Sequence, residues 1–510
     1  MSTTRTSDTH DYQSSVASSN FRDALQDHSL ELRESRNGDY VDWNTSARDY
    51  PRNWSWYPTG YTLTVVLVWS MFTTILTTIG TSASVVAQEQ FGFGEQIGFL
   101  IFTTSTLIGE GIGGVFFAPL SESFGRKTIY ISGSVLATVA CGISAAPHIA
   151  AIVIGRFLTG VACAIPPSIS AGIIEDMFEE PLRLNWAIFI WTTVSNSGLS
   201  IGPILSGYLV TIGWQWPFYV ATITAFALTI LSLGMKESRA SRLLTKKVHE
   251  VEHVTHSSQL NTRNVDTFPS RKEFFRLALL RPLRLLFFEP IISVSAMIAA
   301  TVFGLAYGLT AGLTVVYAQF GFSDPNTSLA FIPILLGLLL SVTPRIYDHW
   351  RWKTASEEEL ERIQSCPEAK LWSFAIAVPV FAVGLWLFAW TILPTVSTHW
   401  LVSMIGLVFF GYALNDINFV LAGYLTDSYK SYAASAYSGV VMSRAAISCG
   451  FAQGTEPFFI ALGPNVAVSI LAAVATIFCI APPVFIRYGG KLRSKSSFAQ
   501  ATSQPIKDEP

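Results

Sequence analysis

The stretch Ala118-Pro-Leu-Ser-Glu-Ser-Phe-Gly-Arg-Lys127 is a short polar turn carrying Glu122, Gly125, Arg126 and Lys127. An apolar, glycine-rich run, Gln96 to Leu120, precedes it, and a second, Thr128 to Ala146, follows it. Each run is close to the roughly 20 residues that a helix needs to cross a bilayer. A turn this small, holding two positive charges between two spans, fixes which face of a membrane it occupies.

The rest of the chain has the same character. Of 510 residues, 50% are hydrophobic and only 13% are charged, whereas a soluble domain carries about 25% charged residues. No basic stripe with interleaved aromatics is present, so nucleic acid is not an expected partner. Cys141, Cys163, Cys449 and Cys479 lie in apolar runs and Cys366 in a polar loop. That scatter has neither a disulfide framework nor metal-ligand spacing, so no metal is expected.

About twelve apolar stretches of spanning length follow one another from Tyr57 onward. They cover 58–82, 96–120, 128–146, 148–172, 185–210, 215–235, 290–319, 327–346, 371–394, 399–425, 433–460 and 464–487. Continuous apolar runs with internal glycines suit helices and not barrel strands. The split between the third and fourth rests on Pro147-His148 alone. Sorted by parity, one set of gaps holds Arg126 and Lys127, Arg183, the block Lys236 to Arg284, Arg345 to Lys370, and Lys430. The alternate set holds no Lys or Arg. The positive-inside rule places the first set, and with it both termini, in the cytosol.

These patterns predict an all-α membrane protein of about twelve transmembrane helices in two six-helix pseudo-repeats. Residues 1–55 form a polar tail expected to be disordered, without the apolar stretch of a cleavable signal. The halves are 56–235 and 290–488, joined by a cytosolic linker, 236–289, and followed by a tail, 489–510. His249, His253 and His256 in the linker lack the partners that would complete a metal site.

Ionisable groups inside the spans are functional candidates by default. Glu110, in Gly109-Glu-Gly-Ile-Gly-Gly114, lies about 18 Å from the inner end of its span by helical rise. A carboxylate held out of water there could take up and release a proton, and the flanking glycines admit a second helix closely. Arg156, in the outer half of the fourth span, needs a carboxylate, backbone carbonyls or water as partners. Asp416 and Arg444 fall at similar depth, about 16 Å from one cytosolic turn, and are expected to pair. Asn196 and Asn415 are mid-membrane amides able to line a cavity or bond between helices. Gly198, Gly202, Pro203 and Gly207 give a small-residue face interrupted by proline, suited to sealing or hinging a helix pair.

Together these features resemble the major facilitator superfamily over residues 55–490. Ala118–Lys127 is similar to that family's signature between the second and third spans, with Glu122 in place of the usual aspartate and Ala118 in place of glycine. Gly155-Arg-Phe-Leu-Thr-Gly160 resembles the fourth-span arginine motif associated with proton transfer. Gly198-x-x-x-Gly202-Pro203 with Gly207 resembles the fifth-span motif of antiporters. Pro119-Leu-Ser-Glu122, Arg281-Pro282 with Glu289-Pro290, Pro367-Glu-Ala-Lys-Leu371 and Gly423-Tyr-Leu-Thr-Asp-Ser-Tyr429 resemble the fungal branch of twelve-span drug:proton antiporters. Glu110-Gly111 and Gly114 depart from the aromatic-led, Gly-Pro-ending run usual in that family.

The resemblance implies a plasma-membrane exporter of drugs, toxins or secondary metabolites, driven by the proton gradient and needing no cofactor. Its expected partners are a small-molecule substrate, protons and the lipid bilayer, and it is expected to act as a monomer. Proton symport for uptake of a nutrient or polyamine is the competing expectation, against which the Gly198–Gly207 motif argues. No nucleophile–base pair, phosphate loop or metal cluster suggests an enzyme. Glu122 is expected to cap a neighbouring helix or meet a cation, and Arg126 and Lys127 to sit against Glu175 or Asp176. Asn326-Thr-Ser lies on an expected outer loop and is a possible glycosylation site.

Overall fold

The computed structural model describes residues 30–33, 40–44, 46–255, 276–360, 366–393, 399–429 and 433–494, with Leu25, Ser496 and Phe498. Among these residues, eleven helices are long and apolar enough to cross a bilayer. They are α1 (Trp56–Phe91), α2 (Glu95–Phe117, continuing to Phe124), α3 (Arg126–Ser144), α4 (Ile149–Met177), α5 (Pro181–Leu209), α6 (Trp216–Leu233), α7 (Pro290–Ala318), α8 (Pro325–Thr354), α9 (Trp372–Thr391), α10 (Trp400–Tyr429) and α12 (Pro464–Arg493). A further 30-residue helix, α11 (Ala433–Leu462), runs between α10 and α12 and completes twelve. The break at Ala145–His148 separates α3 from α4 as expected, and His148 adopts extended backbone before the fourth span begins.

Packing repeats from one half to the other. In the first half α1 lies along α5, α2 along α4, and α3 along both α4 and α6. The second half pairs α7 with α11, α8 with α10, and α9 with α10 and α12. Adding six to each label maps the first set onto the second. The first half is cored by Trp69, Tyr130, Ile165, Ile169 and Phe218, the second by Phe374, Phe381, Phe388 and Phe410. The halves meet along two seams related by the same rule, α2 against α11 and α5 against α8.

The turn 118–127 holds a bond pattern the sequence did not indicate. Gly125 adopts φ +88°, a left-handed conformation natural to glycine. Its missing Cβ leaves space filled by the Glu237 carboxylate. That carboxylate caps α3, accepting the backbone N–H of Arg126 (2.9 Å) and of Lys127 (3.2 Å). Arg126 is buried, with its guanidinium 3.4 Å from Asp176 at the end of α4 and 2.8 Å from the Ser121 hydroxyl. Of the two expected carboxylate partners it takes Asp176. The Glu122 side chain lies outside the described residues.

The second half repeats the lock. Lys370, just before α9, meets Asp427 at the end of α10 (2.6 Å), as Arg126 meets Asp176. Arg493, at the end of α12, binds Glu368 through two bonds of 3.0 and 2.6 Å, where Glu237 serves the first half.

Part of the tail expected to be disordered is a hairpin, Leu30–Arg33 against Tyr40–Trp43. Apolar residues alternate along both strands, so one face buries Leu30, Val41 and Trp43. They pack on Leu244, Val248 and Val251 of the linker helix Ala240–Thr255. The Trp43 indole donates to the Ala240 carbonyl (3.1 Å), Lys247 lies 5.3 Å from the Trp43 ring, and Lys247 pairs with Asp49 (2.6 Å). His249 of that helix lies 3.1 Å from Glu252; His256 is outside the described residues.

Truncating a buried tryptophan to alanine costs about 3–5 kcal/mol, more than a two-stranded hairpin on one helix sustains. Trp43→Ala should therefore release the tail, seen as faster tryptic cleavage at Arg48 and Arg52 with membrane insertion unchanged. Wild-type cleavage kinetics in the variant would show that Trp43 does not hold the hairpin.

Candidate functional site

Four glycines set the position of Glu110. A Cβ on Gly109 would strike the Phe157 carbonyl, and one on Gly113 would crowd Ala164, so these two face α4. Gly111 and Gly114 face the other half, against Ala445 and Val441 of α11. The sequence predicted one close neighbour for this run; the structure gives it two, one in each half. Glu110 lies between them and lines a small cavity with Leu107, Pro167, Phe303, Tyr307, Val441, Arg444, Ala445 and Ser448.

Arg444 does not pair with Asp416. Its guanidinium lies over the Phe303 ring, 3.3 Å from the centroid, and it lines the same cavity as Glu110. Asp416, fully buried, instead accepts from Arg345 of α8 (3.0 Å). Helical rise gives two residues the same depth but says nothing of rotation about the axis. Arg444 faces α2 and α7, whereas Asp416 faces α8. Arg345 further binds Asp348 (2.8 Å) and the Ser373 hydroxyl (2.6 Å) and lies 4.7 Å from the Phe419 ring. In the sequence Arg345 enters only as the start of the basic gap Arg345 to Lys370. Its place at the end of an apolar run, with Asp348 one turn on, was the available signal.

Arg156 takes backbone carbonyls, one of its three expected partner types. It donates to Leu76 (3.0 Å), in the last turn of the first segment of α1, and to Phe102 (2.6 Å), in the π-helical turn Leu100–Thr104 of α2. Carbonyls in a helix's last turn lack intrahelical partners and attract cations. Gly80, where α1 restarts, leaves room for Phe102 and for the guanidinium itself. One arginine thus pins two irregular helices, and it lies 5.5 Å from the Phe218 ring. From α11, the Gln453 amide reaches the same π-helical turn at the Thr104 hydroxyl (2.7 Å).

Asn196 and Asn415 join the halves. Asn196 donates to the Asn415 carbonyl oxygen (3.0 Å), and the Asn415 amide donates to Thr193 (2.7 Å) and Ser341 (2.8 Å). Asn415 precedes Asp416, so one turn of α10 carries both the inter-half bridge and the buried ion pair. Gly198 and Gly202 face α1 at Met71, Thr74, Ile75 and Thr78, and Pro203 sits inside the continuous helix α5. Gly207 is turned to Ser328 in the other half. Beside it, Tyr208 donates to Asn326 (3.1 Å), whose amide donates to Ser323 (2.8 Å). The Asn326 side chain is exposed but tied into the seam.

The model of the Major Facilitator Superfamily matches residues 60–453. The chain belongs to this superfamily. An uncharacterised transporter of Schizosaccharomyces pombe is 30% identical over 90% of this chain and 84% of its own length. The efflux pump FUB11 of Gibberella moniliformis is 31% identical over 80% of this chain and 69% of the pump. The MFS-type transporter penM of Penicillium rubens is 30% identical, covering 77% of each chain. A solved proton:xylose symporter, XylE, shares the fold, with TM-score 0.55, 15% identity, and coverage of 84% of this chain and 96% of that one. The transporter fold places the cavity of Glu110 and Arg444 on the seam between its two halves.

Removing one partner of a buried ion pair costs about 3–5 kcal/mol, while replacing both by apolar groups is often neutral. Arg345→Met should accordingly lower the melting temperature of the purified transporter clearly, and Arg345→Met with Asp416→Leu should recover most of the loss. Equal melting of wild type and Arg345→Met would contradict the pair's structural role. Gly202→Val places a branched side chain against Thr78 and Ile75 and should abolish stable expression, whereas Gly423→Ala, with open space at its Cβ, should not.

Proposed function

We propose that this transporter is a proton-coupled exporter of small organic molecules, exchanging proton and substrate at one cavity by alternating access. The observation that carries this reading is Glu110, a carboxylate of α2 held by glycines between α4 and α11 in a cavity shared by both halves. A proton entering from outside would neutralise Glu110 and expel the substrate that its charge holds. Rocking of the halves would then return the protonated site inward, because each face must differ in affinity for net movement to occur. The Asn196–Asn415 bridge and the Arg345–Asp416 pair beside it are the elements proposed to change between states.

Efflux is supported by similarity to efflux pumps such as FUB11 and by the Gly198–Gly207 face, which packs α5 on α1 and reaches the other half at Ser328. The face carrying Arg126, Arg183, Lys370 and Arg493 is read as cytosolic, with both termini there and the protein in the plasma membrane. A single chain supplies both walls of the cavity, which favours a monomer as the working unit.

Glu110→Gln keeps the shape and removes the charge. Inside-out vesicles bearing the variant should lose pH-driven substrate movement while the protein inserts in normal amount. Undiminished pH-driven movement would remove Glu110 as the proton site.

A further inference from the structure

Away from the cavity, at the ends of α2 and α11 opposite the Arg126 face, the two halves meet through a pair of carboxyl groups. Glu95 stands in the first turn of α2, just after Gly94, and is exposed. Glu456, near the end of α11, is buried, and its side chain is hydrogen-bonded to that of Glu95 across the seam. Two ionised carboxylates have only acceptors, so a bond between them requires a proton. A helix start open to water suits the negative charge of Glu95, and burial suits a neutral Glu456. The Glu456 hydroxyl is therefore the donor and Glu95 the acceptor.

The helices around the pair bring no cation to it. α7 has no charged side chain, and its Tyr307 and Tyr317 are bonded to Thr77 and Ser403. α10 has none before Asp416, His399 at its head lies against Trp400, and α12 has none before Arg487. Arg444 of α11 is about three turns deeper, and Glu89 of α1 is exposed. The end of α11 is also the part of that helix best able to bend. Pro457 lies inside the helix and cannot donate to the Gln453 carbonyl, and Gly450 and Gly454 have open space where a Cβ would stand. Gln453, on the same face as Glu456, accepts from the Leu100 N–H (2.8 Å) and donates to the Gln96 carbonyl (3.2 Å) of α2. A neutral amide and a shared proton thus hold one pliant helix end to the opposite half.

We propose that Glu95 and Glu456 form a second proton site, a latch that draws α2 and α11 together while it holds one proton and lets them part when the proton leaves. Loss of that proton to water sets two negative charges against each other where nothing compensates them. The closed form holds one proton more than the open form, so its share falls as the pH rises. With this face outward, as the exporter reading has it, an acidic exterior shuts the seam behind the proton that reaches Glu110. The role in transport rests on that reading; the latch itself does not.

The test uses full-length protein in nanodiscs with Cys366, Cys449 and Cys479 changed to alanine. Spin labels on cysteines introduced at the exposed positions Ile97 of α2 and Leu462 of α11 report the distance across the seam by pulsed electron resonance. From about pH 5 to about pH 8 the ratio of short to long distances should fall roughly tenfold or more. Glu456→Gln supplies a donor that is never lost, so its labels should stay at the short distance at both pH values. If that variant does not accumulate, Glu95→Gln, at the exposed end of the pair, should behave the same way, since one ionised group has nothing to repel it. A wild-type distance that ignores pH, or a glutamine variant that opens as wild type does, overturns the proposal. So does wild-type closure at the higher pH that EDTA abolishes, which would make the ligand a divalent cation. Transport in proteoliposomes separates the two readings. Labels that respond to pH in a protein that moves no substrate under a pH gradient leave the latch and remove proton exchange. Proton-driven movement with labels that ignore pH does the reverse.

Discussion

The close approach of α2 to helices on both its sides is the constraint from which the site follows. Side chains of ordinary size at 109, 111, 113 and 114 would hold α4 and α11 away. With glycine at those four positions, the backbone of α4 and the Ala445 and Val441 side chains of α11 come close to α2, the arrangement that lets spans associate where no hydrophobic force drives them together. Two side chains remain inside that run: Ile112 is exposed, and Glu110 lines the cavity shared with α11. Arg444 arrives opposite because α11 sits on Gly111 and Gly114. Neither group is placed by attraction to the other.

A second principle acts at the irregular backbone of α1 and α2: polar groups inside a bilayer must be satisfied within the protein. The interrupted α1 and the π-helical turn of α2 are joined by Arg156, which donates to a carbonyl of each. Gln453 adds a bond to the same turn from the opposite half. Helix irregularity near the cavity is therefore tied both to its own half and to its neighbour, and movement of α11 would be felt at the break in α1. The two asparagines do similar work on the other seam, with Asn415 making three bonds of its amide.

The spans, their number and the division into halves were legible because length and apolarity report them without tertiary knowledge. The two-residue signal Pro147-His148 was sufficient for the third break. Less was legible where partners lie far apart in sequence. Depth along a helix placed Asp416 and Arg444 together, and rotation about the axis separated them. Glu237 was hidden inside a charged linker, with nothing local to mark it as the cap of a helix more than a hundred positions earlier. The hairpin escaped notice because four-residue strands separated by polar residues give too short an alternation to stand out in a polar tail. The placing of Glu110 was legible as a carboxylate amid glycines in a span, and the structure sets it on a cavity lined by both halves.

The two locks on the basic face have a consequence for the history of the chain. Neither draws on the opposite half: a group just past the sixth helix of the block holds the turn before the third, and a cation at that turn meets an aspartate at the end of the fourth. One half uses a carboxylate on backbone amides, the other an arginine on a glutamate. Position has been kept while the sign of the charge has been exchanged. A six-helix unit carrying such a lock is mechanically complete on its basic side, so duplication of a single gene would have yielded two self-fastened blocks. The segment between them thus begins with a working part, Glu237, and only beyond it carries the helix that receives the amino-terminal hairpin.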